Sequence, residues 1–392
     1  MVMRSGLARA RRLFRQGTVA EWRFGALTVH GDRSMMTARR RALLLSDSYG
    51  PTLQINFLRP LSRLGGGEAW GMLALTEAAA ASNGETAASD LDRLLGEFRP
   101  DVIVASRYAG TMTARLVERA AAARIPLIAH IDDNLFEVPR GLGSPPSRHD
   151  DLERRARLAQ LLRAADLNYV STAALREKLQ GLGVLAQRVF VADIAGAAAP
   201  MREIRADRSL APVFGYMGSR SHAGDLELVA PAIAMALRRF PKARFELFGS
   251  IERPAALAEF PIRHHAKVRD YTAFLRTLGR LRWSFALAPL IVDDFTLMKT
   301  NVKWIEYTAA AMPVIASDHP VYAECCSGGA GLLVAPEDWL SAIERMMQAP
   351  DLRESMTRAA MLRLESSYTL ERLRQQVLTA FATAGVPQSN LA

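Results

Sequence analysis

A chain of 392 residues that is 49% hydrophobic and 23% charged can bury the cores of two domains. It contains no run near the ~18 to 20 apolar residues of a membrane-spanning helix, and its first residues lack the apolar core of a secretory signal, so the composition points to a cytoplasmic, globular protein. The only cysteines, Cys325 and Cys326, are adjacent, which excludes a disulfide framework or a cysteine-based metal site, and the formal charge of +10 is gathered at one end rather than spread in stripes.

That end runs through Arg41, with ten arginines against Glu21 and Asp32, a net +8, interleaved with Leu7, Leu13, Phe14, Trp22 and Phe24. Residues 1–40 read as a basic arm suited to an anionic membrane surface; a poorly ordered arm is the alternative. No nucleic-acid-binding module follows it, and a nucleic-acid partner is not expected.

From Arg41 the pattern changes to an aliphatic strand ending in Ser, Asp and Gly, "RALLLSDSYGPT". Further strands are expected in "PDVIVASRYAG" (100–110), "IPLIAHIDDN" (125–134), "LNYVST" (167–172) and "RVFVADI" (188–194), with helices over 112–124 and 151–165 between them. This alternation predicts a parallel sheet covered on both faces. A softer stretch over 195–211 reads as a linker, after which the alternation restarts. Strands are expected within 212–219, 243–250, 283–290 and 313–318, and helices over 227–240 and 271–281, with Pro231 either kinking the first of these helices or delaying its start. Two more helical stretches, "DWLSAIERMMQAPDLRESMTRAAMLRLE" and "TLERLRQQVLTAFATAG", close the chain. The expected architecture is α/β, two Rossmann-like domains facing across a cleft. The arm occupies 1–40, an N-terminal domain 41–200, a C-terminal domain 201–370, and a helix and tail 371–392 that returns to the first domain.

The segment "MKTNVKWIEYTAAAMPVIASD" (298–318) carries the sharpest chemistry. Lysine at a helix N-terminus opposes the helix dipole unless an anion sits there. If Thr300 caps the helix, Lys299, Lys303 and Glu306 share one face. Backbone N–H groups, two ammonium groups and the Asn301 amide would then suit a diphosphate, and Glu306 a pair of ribose hydroxyls. A solvated face with a Lys303–Glu306 pair is the bland alternative. The loop "GYMGSRSHAGD" (215–225) adds glycines beside Ser219, Arg220 and His222, and "LAPLIVDDFT" (287–296) brings Asp293 and Asp294 to the same region.

On these residues the chain resembles a family. "LAPLIVDDFTLMKTNVKWIEYTAAAMPVIASDHPVYAE" is similar to the donor-site signature of GT-B-fold glycosyltransferases from the large retaining family that builds bacterial surface polysaccharides. "FGYMGSRSHAGDLELVAPAI" and "ARFELFG" stand where that family has its second-domain glycine loop and next strand, and "HIDDNLFEVP" (130–139) is similar to its first-domain acidic segment. The resemblance spans about residues 41 to 384 and is most specific over 287–324.

The resemblance implies transfer of a sugar from a nucleotide-sugar donor to a glycan or lipid-linked glycan acceptor, with retention, with the nucleotide sugar as substrate and with neither a cofactor nor a metal. Gly218, Ser219, Arg220, His222, Asp294, Lys299, Thr300, Asn301, Lys303 and Glu306 would bind donor, and Gly50 and Asp133 acceptor. His130, Asp132 and Glu306 are the candidate catalytic residues. Two departures stand out. The family's second acid, eight residues before Glu306, is Met298 here, leaving Asp293 or Asp294 to take the role, or none; and a loop lysine is replaced by His222 and Ala223. A nucleotide-sugar epimerase and a non-catalytic nucleotide-sugar- or partner-binding protein are the rival readings.

Overall fold

The computed structural model describes residues 20–76, 84–137, 152–203 and 211–387. They form two compact units: one takes the described residues up to 195 together with those from 370 onward, the other residues 196 to 369.

The first unit is built on an eight-stranded sheet. Its strands are β1 (Glu21–Phe24), β2 (Leu27–His30), β3 (Arg41–Ser46), β4 (Gly71–Thr76), β5 (Val102–Ser106), β6 (Leu127–Ile131), β7 (Leu167–Val170) and β8 (Val189–Val191). In space the order is β1-β2-β4-β3-β5-β6-β7-β8, parallel from β4 to β8 and antiparallel at the β1–β2 edge. The central strands β5, β6 and β7 are buried along their whole length because helices cover both faces, which is why they read as largely apolar runs, with only Ser106, His130 and Asn168 polar among them.

The last helix, Leu370–Thr383, packs on this unit. Val377, Ala380 and Phe381 join a core with Phe57, Trp70 and Tyr169. Gln376 donates to the Tyr169 hydroxyl at 2.5 Å and accepts the Asp193 and Ile194 amides at 2.7 and 3.0 Å, and Arg374 donates to the Pro60 and Glu68 carbonyls.

The second unit has six parallel strands: β9 (Val213–Gly218), β10 (Arg244–Gly249), β11 (Arg263–Ala266), β12 (Phe285–Ala288), β13 (Val314–Ser317) and β14 (Leu332–Val334), in the order β11-β10-β9-β12-β13-β14. Phe214 sits between Phe245 and Phe285, with ring centroids 5.1 and 4.9 Å away. Strand order reverses between β9 and β12 here, and between β3 and β5 in the first unit, so the loops leaving these strands flank the crevices where open α/β sheets take ligands.

Several expectations change. Residues 20–40, read as the second half of an arm, instead form the β1–β2 hairpin and a 3-10 turn (Arg33–Thr37) on the sheet; residues 1–19 of that arm lie outside the described residues. Part of the expected linker, 204–210, also lies outside them. The helix placed at 227–240 runs Ala223–Arg239 straight through Pro231. It persists because Leu226, Val229, Ile233 and Leu237 form one buried stripe while Pro231 faces solvent. Pro350 divides the stretch over 338–365 into the helices Trp339–Gln348 and Pro350–Ser367.

Candidate functional site

The candidate donor-binding residues gather at the carboxyl ends of β9 and β12. β9 ends on Gly218, and Ser219 leads through a 3-10 turn, Arg220–His222, into the helix Ala223–Arg239. The helix beginning the motif runs Val302–Ala309 with Asn301, not Thr300, at its N-cap. Asn301 places no side-chain oxygen on the helix amides because its Nδ2 donates to the Tyr368 hydroxyl at 2.9 Å. One N–H of the Asn301 amide is thus held by Tyr368, with the second left for the expected phosphate contact.

Lys303, at the second position of the helix, donates to the Tyr216 hydroxyl at 3.0 Å, with its ammonium 4.3 Å from the centre of the same ring. Burial pulls its pKa down to about 8, Asp225 and Glu306 oppose that, and Lys299 adds repulsion. Lys299 lies 4.5 Å from the centre of the Phe295 ring. Glu306 is buried at 8% exposure, one turn further along the helix. The helix is anchored through Tyr307, whose hydroxyl accepts the Met217 amide of β9 at 2.7 Å.

His222 bonds through Nδ1 to Asp225 Oδ2 at 2.7 Å, and Asp225 Oδ1 accepts the Ile291 amide at 3.1 Å. Burial, then Lys303, lowers the His222 pKa to about 4 against the pull of Asp225. Burial pushes the Asp225 carboxyl up, but its bond to His222, the Lys303 charge and the Ile291 amide hold it below the usual carboxylate range. Asp225 was not singled out in the sequence. Its place three residues after His222, in the first turn of a helix, is the signal that would have found it.

The two loop acids differ in their contacts. Asp293 accepts the Thr296 amide at 2.7 Å while the Thr296 hydroxyl accepts the Asp293 amide at 3.0 Å, so the pair winds its own loop. Asp294 is exposed. Arg220 is exposed and pairs with Glu252 at 3.4 Å. The glycines divide as well: a Cβ on Gly215 would lie 2.3 Å from the Trp283 ring, so that glycine seats a tryptophan rather than a ligand. Gly218 accepts the Ser250 and Ile251 amides through its carbonyl, at 3.1 and 3.2 Å.

In the first unit, Asp132 follows β6 and accepts from Thr52 Oγ1 at 2.9 Å and Arg107 Nη1 at 3.1 Å. Burial works against its charge, yet Arg107, His130 and Thr52 together keep its pKa below the usual value. Arg107 leaves β5 at φ 51°, a left-handed conformation that turns its guanidinium to this carboxylate. His130, one residue from the end of β6, lies inside the fold: it is 2% exposed, bonded through Nδ1 to Ser106 Oγ at 2.9 Å, and packed on Phe57 and Tyr169 at centroid distances of 5.0 and 5.2 Å. Burial lowers its pKa to about 4, Asp132 opposing and Arg107 adding to the shift. Gly50 caps the turn Pro51–Leu53 with φ −109°, a conformation open to any residue. Among the described residues no group of three or more His, Cys, Asp or Glu is placed to hold a metal ion, and no helix is long and apolar enough to cross a membrane.

Two family models match the chain: a glycosyl transferase 4-like domain over residues 57–193 and a glycosyl transferase-like model over 230–379. No curated protein matches it by sequence. Among solved structures, HepE from Anabaena is similar at 14% identity and a TM-score of 0.62, covering 88% of this chain and 100% of that one. Sucrose-phosphate synthase from Thermosynechococcus elongatus is similar at 14% identity and a TM-score of 0.62, covering 88% and 98%. TarM from S. aureus is similar at 11% identity and a TM-score of 0.53; 76% of this chain is covered, and the chain spans 59% of TarM. With one glycosyltransferase model on each of two parallel α/β sheets, and a fold shared with these proteins, the chain belongs to the glycosyltransferases of the GT-B fold.

Proposed function

We propose that the second unit binds a nucleotide sugar and that the protein transfers its sugar, with retention, to a hydroxyl of a glycan or lipid-linked glycan. The observation that carries this is the Lys303 ammonium. It is held on Tyr216 beside Glu306, at the start of a helix and at the point where strand order reverses. A desolvated cation and free helix N–H groups are what a departing nucleoside diphosphate needs, because charge develops on it as the glycosidic bond breaks. HepE, similar in fold, is described in complex with UDP and with UDP-glucose.

In this reading Glu306 accepts hydrogen bonds from the ribose hydroxyls. Lys303, Lys299 and the loop from Gly218 to Arg220 take the diphosphate. In the first unit Asp132, fixed by Arg107 and Thr52, orients the acceptor together with Asp133 and the Gly50 loop. The buried His130 acts through Ser106 and the strand ends rather than on substrate. The basic residues at the start of the chain bring the enzyme to an anionic membrane surface where lipid-linked acceptors lie.

Calorimetric titration with UDP, GDP, ADP and their sugar derivatives tests the donor site, with Glu306→Ala and Lys303→Ala alongside. Selective binding that both substitutions weaken at least tenfold supports it. Unchanged affinity in Glu306→Ala refutes the assignment of that residue, and no binding to any member refutes the donor site.

A further inference from the structure

The glycine loop of the second unit presents an imidazole beside the site assigned to a diphosphate, and that imidazole is built to be neutral. His222 Nδ1 faces the Asp225 carboxylate at 2.7 Å, an acceptor only, so Nδ1 carries the ring's proton and Nε2 a lone pair. Among the described residues the ring's one hydrogen bond is to Asp225. Asp225 is itself fixed, its second oxygen bonded to the Ile291 amide and its side chain 8% exposed, whereas the His222 side chain is 23% exposed. The groups that face the imidazole electrostatically are Asp225 on its own helix and Lys303 and Lys299 from the motif helix and its lead-in. Burial opposes a second proton on the ring, and the Lys303 and Lys299 ammonium groups oppose it further, against the pull of Asp225.

A neutral ring offering a lone pair repels a phosphate oxygen and accepts from a hydroxyl. Which hydroxyl it meets follows from what the other groups take. Glu306 lies one turn past Lys303 on the motif helix and is assigned to the ribose, whereas His222 stands on the separate loop after β9, and both feel the Lys303 charge assigned to the diphosphate, so the hydroxyls left for His222 are those of the sugar.

We infer that His222 reads the transferred sugar: its Nε2 accepts a hydrogen bond from a hydroxyl of the donor's hexose, and Asp225 is the positioning residue that turns this lone pair toward the ligand. The inference rests on the nucleotide-sugar reading above and replaces the expectation of His222 as a diphosphate contact.

The test is a ratio of affinities. Calorimetry measures UDP against UDP-glucose, GDP against GDP-mannose and ADP against ADP-glucose on the full chain, for the wild type and for His222→Ala, His222→Gln and His222→Lys. For the pair that binds, His222→Ala and His222→Lys are expected to weaken the nucleotide sugar about tenfold, as loss of one hydrogen bond predicts, and to change the nucleoside diphosphate by no more than about twofold. His222→Gln, whose amide oxygen still accepts, keeps more of the sugar preference than alanine does. Asp225→Asn, read at the same ratio, loses part of the preference while the diphosphate still binds. Equal losses for both ligands in the alanine variant, or a lysine variant that strengthens both alike, would overturn the inference and return His222 to the diphosphate. If the wild type binds no member of any pair, the donor-site reading fails first and this inference falls with it.

Discussion

The ammonium of Lys303 and the phenol of Tyr216 form one unit, with Nζ 3.0 Å from the hydroxyl and 4.3 Å from the ring centre. The ring contact and the hydrogen bond hold a cation in a place that desolvates it, and its pKa of about 8 is the consequence. Nucleoside diphosphate affinity should therefore fall as pH rises through about 8, where the empty site loses its charge. In Lys303→Arg, whose guanidinium stays protonated, the fall should vanish between pH 7 and 9. Stability has the opposite sign: the folded value lies below the ordinary 10.5, so the unfolded chain holds more protons between the two, and folding gains as pH rises across that range. Lys303→Met should thus melt no lower than the wild type at pH 7 while losing donor binding. A lower melting temperature would show the ammonium to be a net structural support.

Asn301 and Tyr368 provide a second test. The amide donates to the hydroxyl at 2.9 Å, which ties the start of the motif helix to the end of the helix Pro350–Ser367. If the bond is structural, Tyr368→Phe should lower stability by about 1 kcal/mol, as Asn301→Ala does, and the double variant should cost little more than either alone. A cycle in which Asn301→Ala alone damages donor binding would assign the second N–H of the amide to the ligand.

Three glycines in or after the strands should not respond alike to alanine. At Gly249, with φ +117°, an added Cβ would stand 2.2 Å from the Gly218 carbonyl oxygen, so Gly249→Ala is expected to cost about 2 kcal/mol or more. Gly215→Ala meets the Trp283 ring at 2.3 Å and should cost a comparable amount. At Gly50 the nearest atom is Ser48 Oγ at 3.4 Å, so Gly50→Ala should leave denaturation midpoints within about 0.5 kcal/mol of the wild type. Any activity it loses then reports substrate approach rather than folding.

Acid should unfold the protein partly through His130. Its pKa is near 4 in the fold against 6.5 ordinarily, so the unfolded chain takes up the proton first. The stability this residue contributes is complete above about pH 6.5 and drains away as pH falls toward 4, and His222 adds the same sign in the second unit. Urea midpoints measured from pH 7 to 4.5 should decline less steeply in His130→Gln. An unchanged slope would show that other groups govern acid unfolding.

What could be read from the sequence was local. The buried strands β5, β6, β7, β9, β10, β12 and β13 were visible because a strand covered on both faces is mostly apolar, and the helix Tyr271–Leu281 because its apolar residues recur at helical spacing. The motif around Lys303 and Glu306 was legible for a similar reason: a lysine at a helix start is costly without an anion, so the residue type itself signals a ligand. Edge strands left no such trace. In β11, Arg263–Ala266 carries two histidines and an arginine on the rim of its sheet, and the β1–β2 hairpin lies in a run of arginines. A strand with one free edge can be polar, and its pairing is set by its neighbour.

Side-chain partnerships were decided by tertiary structure alone. Asn301 is 67 positions from Tyr368, Lys303 is 87 from Tyr216, and Asp225 is 66 from the Ile291 amide, so no spacing in the chain encodes these contacts. Composition and periodicity determined that this protein folds as alternating strands and helices with a candidate anion site on one helix. Only the packed fold decided which acid faces that site, because a hydrogen bond depends on a separation of about 3 Å that long-range packing alone fixes.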